Sequence, residues 1–163
     1  MEIYILRHGI AVERGTPGCK KDGDRPLTEE GERKIWQIAK AMLGMDLKFD
    51  LILSSPYIRA KRTAEVVAET LGQKVTFTDA LLPDANMADL IAEINDEKPQ
   101  RVLLVGHEPD LSGLISVLIC GNGNAAIELK KGGLCKVTAK TLTLARCATL
   151  NGLLSPKQLR ELR

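Results

Sequence analysis

The sequence predicts a single-domain α/β fold over residues 1–163: a three-layer α/β/α sandwich around a mixed, mostly parallel sheet. Three observations carry that expectation. The chain has 163 residues, 44% of them hydrophobic and 27% charged, which suits one sizeable core in an ordinary globular protein. Short aliphatic runs alternate with longer amphipathic stretches through the first two thirds of the chain, the βαβα pattern of parallel strands with helices on both faces. The later apolar runs follow one another closely, as hairpins do, and add antiparallel edges. No internal repeat, low-complexity tract or linker divides the chain.

Taken in order, Glu2–Leu6 reads as a buried strand, Asp50–Ser54 as a second, Lys74–Phe77 as a weaker third and Arg101–Gly106 as a strong fourth. Between the first two strands, Thr28 is a good N-cap, with Glu29 and Glu30 in the first turn. Ile35, Ile38, Ala39 and Met42 then repeat on one helical face. Ala60, Ala64, Val67, Ala68 and Leu71 do the same in a second helix, ended by Gly72. Met87, Ile91 and Ile94 mark a third helix, and Leu111, Leu114, Ile115 and Leu118 a fourth. Ala126–Leu129, Leu134–Thr138 and Leu142–Cys147 read as strands joined by Gly132-Gly133 and by Lys140-Thr141. Ser155-Pro156, a cap followed by a first-turn proline, opens a last short helix.

Composition narrows the function classes. A net charge of +2, from 23 basic and 21 acidic residues, is too balanced for a nucleic-acid or anionic-membrane partner. Aromatics at 3% leave little for base stacking. Arg7 interrupts the opening apolar run too early for an export signal or a membrane span, so a cytoplasmic protein is expected. Cys19, Cys120, Cys135 and Cys147 form no Cys-x-x-Cys pair and are expected to be reduced. The two histidines stand at no metal-ligand spacing, so neither a metal nor another cofactor is expected.

Both histidines follow predicted strands directly, His8 in Arg7-His8-Gly9 and His107 in Gly106-His107-Glu108-Pro109. A third strand runs into Ser54-Ser55-Pro56-Tyr57-Ile58-Arg59. Ligands of such sheets bind at the carboxyl ends of the strands. Arginine forks match the oxygens of a doubly charged oxyanion, and Arg59 also lies near a helix N-terminus. Gly9 lets the backbone turn and a ligand approach beside His8. A neutral imidazole is a nucleophile towards phosphorus, and two flanking guanidinium groups disfavour its protonation. Singly, each residue has an ordinary structural explanation; Arg62, beside the helix start, needs only a solvated one.

Leu-Arg-His-Gly at 6–9, Ser-Ser-Pro-Tyr-Ile-Arg-Ala at 54–60 and Val-Gly-His-Glu-Pro at 105–109 resemble the histidine phosphatase superfamily. With the short length and Asp24-Arg25-Pro26-Leu27-Thr28, the chain is similar to its SixA-type phosphohistidine phosphatases. The resemblance implies a phosphoglycerate mutase-like fold, a phosphorylated His8, and a phosphate pocket completed by Arg7, Arg59 and His107. It implies no metal, and as partner a phosphohistidine-bearing protein such as a phosphotransfer domain. Larger members carry insertions that cover the substrate and supply a glutamate proton donor. The short interval between Phe77 and Arg101 leaves no room for such a lid. Asp22, Asp24, Asp84 and Glu108 are the remaining donor candidates, and Asp24 is favoured because it shares the loop after His8. A broad small-molecule phosphomonoesterase and a non-catalytic phosphate-binding module are the rival readings.

Overall fold

Strand β1 (Glu2–Arg7) lies inside a six-stranded sheet of order β3-β2-β4-β1-β5-β6. The computed structural model describes residues 1–162. β1 pairs in parallel with β4 (Arg101–Gly106), β4 with β2 (Leu51–Ser54), and β2 with the short β3 (Thr76–Phe77). Register aligns the ends that matter: Arg7 stands opposite Gly106, and Ser54 opposite Val105. The residues that follow these strands therefore leave the sheet along one rim.

Alternation along the strands builds two cores. Tyr4, Leu6, Ile52, Leu103 and Val105 pack towards α1 (Glu29–Gly44), α2 (Ile58–Leu71) and the closing α5 (Pro156–Glu161). Ile3, Ile5, Leu53, Val102 and Leu104 pack towards α3 (Met87–Glu97) and α4 (Asp110–Cys120). The result is the expected three layers. Each fully buried Ile or Leu contributes about 1.5–3 kcal/mol of transfer free energy, so the strands hold the rim rigidly.

Helix termini follow the expected chemistry. Thr28 accepts the Gly31 N–H at 2.9 Å, Gly72 closes α2 in the left-handed region at φ 66°, and Ser155 accepts the Gln158 N–H at 3.2 Å. The last third differs from expectation. β5 (Leu134–Ala139) runs antiparallel to β1, but its hairpin partner is β6 (Ala148–Leu154), with a bulge at Lys136/Val137. Ala126–Leu129 and Leu142–Cys147 are not strands. Leu142 is buried by a different device: its N–H and C=O bond the Asn95 side chain at 3.0 and 2.8 Å. β6 escaped notice because it is an edge strand, largely exposed, with Asn151 and Gly152 interrupting its apolar alternation.

All four cysteines are free thiols, and burial pushes the Cys135 thiol up to about 12. Among the described residues, no helix is long and apolar enough to cross a membrane, and no group of three or more His, Cys, Asp or Glu side chains is placed to hold a metal ion.

Candidate active site

The rim brings Arg7, His8, Arg59 and His107 together. His8, Arg59 and His107 are all buried, at 6%, 3% and 3% exposure, and Arg7 is partly buried. His8 Nδ1 lies 2.7 Å from its neighbour's carbonyl, Gly9 O. A carbonyl only accepts, so Nδ1 carries the proton and Nε2 presents a lone pair. Arg59 Nε approaches that Nε2 at 3.3 Å. The Gly9 position is dictated by packing: a Cβ there would stand 2.7 Å from Ile35 Cγ1 on α1.

His107 is oriented in the same way from the other strand end. Its Nε2 lies 2.8 Å from Ser55 Oγ, and that oxygen already accepts the Tyr57 N–H at 3.2 Å. The Ser55 hydroxyl can donate to Nε2 or accept from it, and where it donates, the proton of neutral His107 stands on Nδ1. The His8 and His107 rings stand 5.2 Å apart. Tyr57 packs edge-on against His107 at 5.4 Å, and Arg59 Cζ lies 5.3 Å from the Tyr57 ring centre.

Arg7 Nη1 donates to Leu129 O at 3.0 Å. Arg7 Nε and His107 Nδ1 are both buried, yet neither has a hydrogen-bond partner among the described residues. Buried donors are normally paired, and an unsatisfied one costs about 1–3 kcal/mol. Arg7 Nε is a donor, His107 Nδ1 is one in the tautomer that accepts from Ser55, and both belong to the histidine–arginine cluster, an arrangement that suits an oxyanion.

The electrostatics favour the same chemistry. Burial first, then the charges of His107, Arg59 and Arg7, push His8 down to about 3, against the opposing pull of the Gly9 carbonyl. Burial and Arg59 push His107 down to about 4. Burial also lowers both Arg7 and Arg59. Near pH 7 the site therefore holds two neutral imidazoles between fixed guanidinium donors.

The donor candidates separate. Asp24 accepts its own loop's Lys21 N–H at 3.0 Å, within a 3-10 turn at Asp22–Asp24. Asp84 donates its N–H to Asp110 Oδ2 at 2.9 Å and is exposed. Glu108 Oε1 accepts the Ser112 N–H at 2.8 Å at the head of α4, and its charge acts on Arg7. Asp22 alone among the four bonds a site arginine, reaching Arg59 Nη2 at 2.9 Å. Burial pushes the Asp22 carboxyl up, but bonds from Arg59 and Arg25 outweigh it and hold the net value below the usual range. Sequence reasoning had no role for Ser55, Tyr57 or Arg25, although all three lie inside the motif stretches already singled out. Arg62 differs from the solvated residue expected. It binds Glu32 Oε1 on α1 through Nε at 2.9 Å and Nη2 at 2.5 Å.

A family model for the histidine phosphatase superfamily (branch 1) matches residues 3–82. An uncharacterized protein of Picosynechococcus sp. is 36% identical over 138 residues, 82% of either chain. The chain belongs to the histidine phosphatase superfamily. Its similarity to the probable phosphoglycerate mutase GpmB of Klebsiella pneumoniae is 32% identity over 115 residues, 68% of this chain and 52% of that one. The chain thus spans about half the length of that relative. Among solved structures of this superfamily fold, the protein histidine phosphatase SixA complexed with tungstate is similar over 98% of this chain and 99% of its own, with TM-score 0.80 and 26% identity. The α-ribazole phosphatase from Shigella flexneri shares the fold at TM-score 0.73 and 19% identity, over 96% of this chain and 97% of its own.

Proposed function

We propose that this histidine phosphatase works without a metal, forms a phosphohistidine intermediate at His8, and dephosphorylates a phosphohistidine on a partner protein such as a phosphotransfer domain. In the first step the His8 Nε2 lone pair forms a bond to phosphorus as the bond to the leaving group breaks. Arg7, Arg59 and His107 Nδ1 donate to the equatorial oxygens, the positioning and electrostatic role that phosphoryl transfer requires. The His8 ring keeps its Nδ1 proton on Gly9 O, so the phosphorylated ring is cationic. When water attacks phosphorus, His8 departs as a neutral imidazole, the water loses its proton to solvent, and phosphate is released.

The observation that carries the substrate class is the pairing of Asp22. Asp22, the one that reaches the site's arginines, is ion-paired at 2.9 Å to Arg59 and 2.7 Å to Arg25 and held ionised. An ionised carboxylate cannot protonate the leaving oxygen of an alkyl phosphate. A phosphoimidazole protonated on its other nitrogen leaves as neutral imidazole and needs no such donor. The near-complete coverage of a protein histidine phosphatase of similar length supports the same reading.

The test compares kcat/KM for a phosphohistidine protein with that for sugar phosphates and nucleotides under identical conditions. The expected result favours the phosphoprotein. Faster turnover of a small ester would replace this reading with a small-molecule phosphomonoesterase and leave the role of His8 standing.

A further inference from the structure

The loop between β1 and α1 does more than connect them. Its neck is clamped: Val12 N–H donates to Pro26 O at 3.0 Å, Thr28 N–H to Ile10 O at 2.9 Å, and Ala11 bridges Leu27. The loop then folds its 3-10 turn against the site. Gly23 seats that turn on Tyr57, where a Cβ would stand 2.9 Å from two ring atoms.

The turn delivers two acceptors to one edge of Arg59. Nη1 donates to the Asp22 main-chain O at 2.7 Å, and Nη2 to Asp22 Oδ2 at 2.9 Å. A guanidinium has two forks that can bind an oxyanion bidentately: the end-on edge, Nη1 with Nη2, and the side-on edge, Nε with the other Nη2 hydrogen. Asp22 occupies the end-on edge. The side-on edge is left to face His8, with Nε 3.3 Å from Nε2. Asp22 is itself held, since Oδ1 accepts Arg25 Nε at 2.9 Å and Nη2 at 2.7 Å, while Arg25 Nη1 is tied to Val12 O at 2.9 Å.

We propose that Asp22 is a positioning residue: by taking the end-on edge of Arg59 it locks the side-on fork towards the phosphoryl group that His8 attacks. This rests on the phosphatase reading above and adds a residue to it. Asp22 touches no reacting atom; it acts through Arg59. The chain from Val12 through Arg25 and Asp22 to Arg59 is an orienting support of the kind that fixes a donor before the transition state forms.

The experiment is a double-mutant cycle with Asp22→Ala, Arg59→Ala and the pair, read on His8 phosphorylation from two aryl phosphates of different leaving-group pKa and on the affinity for vanadate by calorimetry. Asp22→Ala should lower kcat/KM about 10- to 100-fold, mainly through kcat, because a misplaced donor costs on that scale. The loss should be the same for both leaving groups. Asp22→Asn, whose amide oxygen can still accept from Nη2, should recover most of the rate. In the Arg59→Ala background, Asp22→Ala should cost less than about threefold, since a residue acting through Arg59 has nothing left to position. Melting temperatures of the variants establish that they are folded. An equal Asp22 loss with and without Arg59, or a loss that grows with leaving-group pKa, would overturn the proposal and make Asp22 a group acting on substrate directly. Failure of the wild-type chain to take phosphate from any donor would instead sink the phosphatase reading. The same cycle on vanadate affinity then decides the Asp22 proposal by itself: additive losses reject it.

Discussion

One wall of the site is made of strand ends and the other of loop. Arg7 ends β1, His8 and His107 follow β1 and β4, which pair in register at Arg7 and Gly106, and Ser55 follows β2 in the same rim. The strands beneath are buried on both faces, and His8 and His107 each have one ring nitrogen bonded to a fixed neighbour. Asp22 and Arg25 stand on the opposite wall, on a loop held by side-chain bonds, with the Asp22 side chain 32% exposed. Backbone ladders position the first wall, and a charge network positions the second. The difference suggests that chemistry resides on the ladder-fixed wall, and that the loop wall aims one of its donors.

The comparison breaks most sharply at His8. His8→Ala should abolish turnover and acid-labile phosphate labelling while the melting transition persists. An active, folded variant would remove the nucleophile from the strand wall altogether. Next in size is the arginine contrast. Arg7→Ala should cost about two orders of magnitude or more in kcat/KM, the scale of removing one transition-state donor. Arg62→Ala, on the same helix as Arg59 but paired with Glu32, should cost less than about threefold, because half-exposed ion pairs hold little energy. Equal losses at Arg7 and Arg62 would show that aim at His8 does not decide which guanidinium matters.

A separate effect concerns pH and stability. His8 lies at about 3 and His107 at about 4, both depressed from 6.5. The folded state therefore binds fewer protons than the unfolded chain between those values and 6.5. That contribution is complete above about pH 6.5 and is lost as pH falls through the window, at about 1.4 kcal/mol for each unit of depression. The melting temperature should drop between pH 7 and pH 4, and His8→Gln should make that slope shallower. An unchanged slope would mean that the buried imidazole of the strand wall does not titrate as described.

Much of the strand wall was legible in advance. A β-strand has period two and a short reach, so Ile3-Tyr4-Ile5-Leu6 followed by Arg7-His8 places those side chains at a strand end whatever the rest of the chain does. The same holds for Val102–Val105 before His107. The loop wall was not legible in this way. Four carboxylates were candidates on the same chemical grounds, with Asp24 favoured because it shares the loop after His8. Only the 3-10 turn, which spends the Asp24 carboxylate on Lys21 N–H and turns Asp22 to Arg59, separates them. The β6 strand was missed for a related reason, since an exposed edge carries no strong burial pattern for a sequence to display.

By itself, then, the sequence determined the α/β class, the helix caps at Thr28 and Ser155, and the gathering of His8, Arg59 and His107 at one rim, because periodicity and capping are local properties of the chain. Tertiary structure alone decided the tautomer of His8, the pairing of Arg62 with Glu32, the hairpin partner of β5, and which edge of Arg59 faces His8. The His8 tautomer is set by the adjacent Gly9 carbonyl once the ring is packed in place; the others depend on contacts between residues remote in the chain, such as Asp22 and Arg59. No local pattern encodes such a contact until packing brings the partners together.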